Sequence, residues 1–265
     1  MLVKNEQDII ASTLRAAAEW SDKVIVLDNG STDNTWEIIQ NLSVSDPRII
    51  PFAQDSQPFR IGLRALIFDA FAHEMTSNDW WCIRLDADEF YADSPRKFLV
   101  DIPMRYKQVS KASIDFMITE EDLNEFEFEG DFEADRSKIR YYNPLTWAEV
   151  RFLRHSPKLR WDTDKFKPTP CGLTWPLQIK VLHYQFRSPQ QMQKRFGVRQ
   201  QAREEGCGSF SHEKGKSWHD YLQKREQLAY YQPEKGFELR GNRNKFNKTH
   251  TRIFKSILTF IGYYD

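Results

Sequence analysis

The stretch Val24-Ile25-Val26-Leu27 constrains this chain most, because four aliphatic residues follow one another with no polar alternation. A strand with one wet face alternates. A strand without alternation is buried on both faces, as in a parallel sheet covered by helices. Asp28-Asn29-Gly30 come next, then Ser31 and Thr32 as N-cap candidates for a helix carrying Trp36, Ile38, Ile39 and Leu42. Before this unit lie the short apolar start Leu2-Val3 and a helical spacing of Ile9, Ile10, Leu14, Ala17 and Ala18. After it, Ile49-Ile50 suits a third strand, residues 62–75 read as a helix, and Trp80 to Leu85 reads as the next strand. This alternation predicts an α/β fold with a doubly wound, Rossmann-like, mostly parallel sheet flanked by helices.

Composition narrows the function classes. Across 265 residues, 38 Lys+Arg balance 38 Asp+Glu, which argues against a general nucleic-acid binder. The 40% hydrophobic content argues against a disordered chain. Cys82, Cys171 and Cys207 are three in number and form no CxxC pair, so neither a disulfide scaffold nor a structural zinc site is expected. A reducing, cytoplasmic setting fits them. No apolar run reaches the roughly 18 residues of a spanning helix, and MLVKNEQD does not read as a signal peptide.

The charges are unevenly spread. Asp115 to Asp135 holds ten Asp/Glu and no Lys/Arg, which reads as a solvated surface insertion. Lys194 to Asp265 holds fifteen Lys/Arg against eight acids. Within it, residues 252–261 form a basic amphipathic stretch, which packs on the domain or lies on the inner face of the cytoplasmic membrane.

Two motifs carry chemistry. Asp86-Ala87-Asp88-Glu89 sets three carboxylates at the end of an apolar strand. They repel one another, and a cation that neutralises them would hold them together; oxygen ligands suit Mg²⁺ or Mn²⁺. A strand end with solvated acids is the plainer alternative. Asp28 ends the second strand, placed to accept hydrogen bonds from a ligand beyond the sheet's carboxyl edge. Asp33 either joins it or favours the helix N-terminus.

Together these residues resemble family 2 glycosyltransferases of the GT-A fold. Lys4-Asn5-Glu6, Asp28-Asn29-Gly30-Ser31-Thr32-Asp33 and Asp86-Ala87-Asp88-Glu89 carry the likeness, with Arg64 at a matching basic position. The resemblance implies a nucleotide-diphosphate-sugar donor, a divalent metal, and transfer of a hexosyl-type sugar with inversion to a glycan or lipid-linked acceptor, as in surface polysaccharide synthesis. It implies that Asp28 contacts the base, Asp86 the ribose or metal, Asp88 the metal, and Arg64 the phosphates. His183 is implied as a further metal ligand, with a core histidine as the alternative. Glu149 is the first candidate for the general base, with Asp162 and Asp164 as rivals; a salt-bridged surface residue is the alternative for Glu149. Arg187, Lys194 and Arg195 are expected to face the diphosphate. One of Trp147, Trp161 and Trp175 is expected to line the acceptor site, the others the core. The expected division is a nucleotide-sugar-binding half (1–100), an acceptor-side half of the same domain (101–190) and a mostly helical C-terminal extension (191–265). A sugar-nucleotide-binding protein without turnover is the alternative function. A phosphatase built on a strand-end D-x-D is excluded, because that motif would stand near the chain start.

Overall fold

The computed structural model describes residues 1–60, 62–204, 217–240 and 249–265, so Cys207 lies outside the described residues. The first half runs β1 (Leu2–Val3), α1 (Ile10–Ala18), β2 (Val24–Asp28), α2 (Thr35–Ser45), β3 (Ile49–Gln54), α3 (Leu63–Phe71), β4 (Trp80–Cys82), β5 (Glu89–Tyr91) and α4 (Pro95–Val100). The second half runs β6 (Tyr106–Met117), α5 (Glu120–Glu125), α6 (Phe132–Asp135), β7 (Tyr141–Tyr142), β8 (Ala148–Arg154), β9 (Leu173–Thr174), β10 (Ile179–His183), α7 (Pro189–Glu204), β11 (Ala229–Tyr230) and α8 (Thr249–Phe260).

Strands β1, β2 and β3 form a parallel sheet in that order. All five residues of β2 are buried, as the unbroken apolar run requires. Helix α1 covers the sheet with Ile10, Leu14, Ala17 and Ala18, one face of a 3.6-residue period. The parallel sheet with flanking helices is therefore as expected, and the second half modifies it. There β6 pairs β10 and β9 parallel, but β8 and β7 antiparallel, and β10 pairs β5 antiparallel.

The expected strand from Trp80 to Leu85 is shorter than its apolar run. It stops at Cys82 and pairs antiparallel with β8 rather than with the first sheet, although Ile83 N–H still donates to Arg151 O. Between β2 and β4 lies a cavity of about 820 Å³ whose lining includes Met1, Val24, Ile25, Trp80 and Trp81. The amino group of Met1 sits there and donates to Ile25 O at 2.6 Å. Burial, with help from Arg64, pushes that amine down to about 5.

The N-cap of α2 is Asn34, not Ser31 or Thr32, because both of those are used elsewhere. The acidic run is not a solvated insertion throughout. Asp122 and Asp135 are buried, where Asp122 shares a capping box with Thr119 and Asp135 accepts the backbone N–H groups of Glu129 and Gly130. The described part of 191–265 is helical in α7 and α8, and β11 stitches it to β7. No described helix is long and apolar enough to cross a membrane.

Candidate functional site

The carboxyl ends of the strands open on a cleft of about 850 Å³, within the range of small-molecule sites. Its first wall is a pair of stitched loops. Gly30 takes φ +72°, and a Cβ there would meet Ser56 Cα at 2.9 Å, so only glycine fits. The turn lets Ser31 N–H donate to Asp28 Oδ1 and Ser31 Oγ accept Asn5 N–H, each at 2.8 Å. Asn5, itself at φ 56°, accepts Thr32 N–H in return. Asp28 is fully buried by these contacts and Gln54, behind the cleft rather than in it. The lining residues on this side are Asn29, Asp33, Ser56, Gln57, Pro58 and Phe59. Asp28 is not among these lining residues; its Oδ1 accepts Ser31 N–H, while its buried Oδ2 has no hydrogen-bond partner. Asp33 lines the cleft while its Oδ1 accepts Thr35 N–H and Oγ–H at the start of α2.

The acidic motif forms the floor, and its neutralisation is internal. Asp86 accepts from Arg64 at 2.9 Å and from Arg84 at 2.8 Å, one guanidinium on each oxygen. Burial works against its charge, but Arg84, Arg64 and Arg151 outweigh it and hold the carboxyl well below the usual range. Glu89 is buried against Lys111 and Arg151. Glu149 lines the cleft between Arg84, at 2.8 Å, and Arg151, at 3.0 Å. Four cations (Arg64, Arg84, Lys111, Arg151) thus face three carboxylates (Asp86, Glu89, Glu149), which leaves a positive charge. The repulsion expected to need a metal is relieved by arginines and a lysine. Arg84 escaped the sequence reading, although its two-residue spacing from Asp86 puts both on one side of an extended segment.

Asp88 faces a second group. His183 Nε2 lies 3.5 Å from its Oδ2, Arg195 Nη1 3.3 Å and Arg187 Nη1 3.9 Å. His183 is paired through its other ring nitrogen with Asp115 Oδ1 at 2.8 Å. Asp115 also accepts from Ser113 Oγ and from Trp147 Nε1. Burial opposes a charged imidazole, but Asp88 and Asp115 outweigh it and push His183 up to about 9. Lys111, Ser113 and Asp115 alternate along β6, a polar row that period two in the sequence marks out.

Helix α7 closes the cleft with Gln191, Lys194, Arg195, Val198 and Arg199 on one helical face. Burial and the like charge of Arg195 push Arg199 down to about 9, a strain that an anion in the cleft relieves. Arg187, expected at the diphosphate, is buried instead as a clamp on Glu6 and Asp8. Trp147 lines the cleft, with Lys111 Nζ 4.2 Å from its ring centroid; Trp161 packs on Phe68 and Trp175 on Tyr106. Asp162 and Asp164 are exposed and outside the cleft lining, which removes both as general-base candidates.

Among the described residues no group of three or more His, Cys, Asp or Glu is arranged to hold a metal. Asp86 does not fit as a ligand here, because both its oxygens are held by arginines. Asp88 and His183 are the alternative pair, although Asp88 Oδ2 is itself shared with Arg195. Their 3.5 Å separation is close to the ~3 Å between neighbouring ligand atoms around an octahedral ion with bonds of ~2.1 Å. Asp115 behind His183 is the usual support for such a ligand.

Fold and cleft together define an α/β protein with a charged site at the strand carboxyl ends. Residues 1–98 match the family model described as Glycosyl transferase family 2. Over that segment the chain is similar to this family, and the three motifs that carry the resemblance fall within it. No curated protein matches the chain.

Proposed function

We propose that the chain transfers a sugar from a nucleotide-diphosphate-sugar donor to a glycan or lipid-linked acceptor, with inversion. The observation that carries this reading is the set of cations that lines the cleft from two sides, Arg64 and Arg84 at the acidic motif and Lys194, Arg195 and Arg199 on α7. A diphosphate would lie between these cations, which would stabilise the charge that builds on it as it leaves. The nucleoside lies toward Asn29, Asp33 and Phe59, while Asp28 acts through the loop it holds. Asp88 and His183 would hold a Mn²⁺ or Mg²⁺ ion, which would supply Lewis-acid stabilisation of the diphosphate. The sugar then points toward Trp147, whose face suits an acceptor ring. We propose the half-domain division at about residue 100, since lining residues come from both halves.

Glu149 remains the proposed general base, at the Trp147 side of the cleft. It is already ion-paired with Arg84 at 2.8 Å and with Arg151 at 3.0 Å, and this one observation keeps alive a second reading, donor binding without turnover. Release of nucleoside diphosphate from a panel of UDP-, GDP-, CDP- and dTDP-sugars, with and without Mn²⁺, separates the two. Turnover that Asp88→Ala abolishes and Glu149→Gln lowers at least 100-fold supports transfer. Donor binding with no release by the folded protein supports the second reading, and unchanged turnover in Asp88→Ala overturns the site.

A further inference from the structure

Helix α8 is mounted with its apolar side outward. Ile253, Phe254, Ile257, Phe260 and Ile261 are each more than half exposed, Phe260 at 91%. At 100° per residue these five fall within one stripe about 120° wide, the apolar face of an amphipathic helix. The helix is tied down from its polar side: Lys255 Nζ donates to Gly172 O at 2.9 Å. Past the helix, Lys158 Nζ donates to Gly262 O and Lys107 pairs with Asp265. Burial of apolar surface would turn such a helix the other way round. The observed mounting therefore leaves an apolar stripe that nothing among the described residues covers.

We propose that α8 docks this chain on an anionic lipid surface. Charge selects that occupant. In the sequence, Arg240 to Lys255 holds six Lys/Arg and no Asp or Glu; among the described ones, Arg252 is exposed beside the stripe, while Lys255 is tied to Gly172 O on the polar side. Such cations near an apolar stripe are attracted to anionic headgroups, while the stripe enters the boundary between headgroups and acyl chains. A second copy fits less well. Five side chains offer less than the ~800 Å² per partner of a standard interface. The cleft plays no part in this docking, so the inference stands apart from the transfer reading.

The test is co-sedimentation of the full chain with vesicles of phosphatidylglycerol and phosphatidylcholine, against vesicles of phosphatidylcholine alone. Binding to the anionic vesicles, weakened by salt, is the expected result. Ile257→Glu should cut the bound fraction at least tenfold, and Arg252→Gln about fivefold. Both side chains are exposed, so circular dichroism and nucleotide binding should stay unchanged; Phe254→Ser is the second variant should Ile257→Glu misfold. Failure of the folded chain to sediment with anionic vesicles overturns the proposal. So does equal binding to both vesicle types, or a dimer in analytical ultracentrifugation that Ile257→Glu dissociates.

Discussion

Glu89→Gln removes one charge and almost no volume, and the structure fixes what that should cost. The Glu89 side chain is 2% exposed, and its partners Lys111 and Arg151 are 0% exposed. Its second oxygen accepts Asp86 N–H at 3.3 Å, which ties the acidic motif to the core. Removing one member of a buried ion pair costs about 3–5 kcal/mol, because the partner is left as an uncompensated charge. The lower end applies, since Arg151 keeps Glu149 and Lys111 keeps the face of Trp147. A loss of about 3 kcal/mol lowers Tm by roughly 6–12 °C in a chain of this size. Thermal unfolding followed by circular dichroism at neutral pH measures it. Lys111→Met in the same background should restore part of the loss, because it removes the orphaned cation; the double-mutant cycle gives the coupling. A loss under about 1 kcal/mol, or no coupling to Lys111, refutes the idea that this third carboxylate is an internal strut.

Three more outcomes are expected. Gly30→Ala, at φ +72° with Ser56 in the way, should destabilise the chain by more than 1 kcal/mol and weaken nucleotide binding, as urea unfolding and titration would show. Asp86 and Asp115 have folded pKa values below the unfolded value, so the stability they add is present above pH ~4 and is lost as pH falls below it. Asp86→Asn should flatten that acid limb, and an unchanged limb would count against its ion pairs. The Met1 amine is depressed from 8.0 to about 5, so the folded state binds fewer protons and stability should rise with pH between those values. Acetylation of the amine, which removes the titrating group, should abolish that slope, and a slope that persists would refute the assignment.

The N-terminal units were legible because periodicity is a local signal. The run 24–27 could only be a strand buried on both faces, and the spacing from Ile10 to Ala18 only one face of a helix. The direction of Asp28 was not legible, because it depends on the turn at Gly30 and on Ser31 reaching back to Asn5. Clustered acids at 86, 88 and 89 were visible, but their partners were not. Arg64 sits 22 positions away and Arg151 62 positions away, so only the fold brings those charges together. Asp115 was read as part of a solvated acidic run, although its alternation with Lys111 and Ser113 marks a strand face. The shortening of the strand after Trp80 was likewise hidden, since its antiparallel partner β8 lies beyond any local window.

The central claim concerns a donor site among the cations of the cleft. Calorimetric titration of UDP, GDP, CDP and dTDP into the chain, with and without Mn²⁺, tests it most directly. The expected result is one-to-one binding of one of the four, weakened by Arg64→Ala and by Asp88→Ala and unaffected by Ile257→Glu. No binding of any nucleoside diphosphate by folded protein, in either condition, would contradict the account.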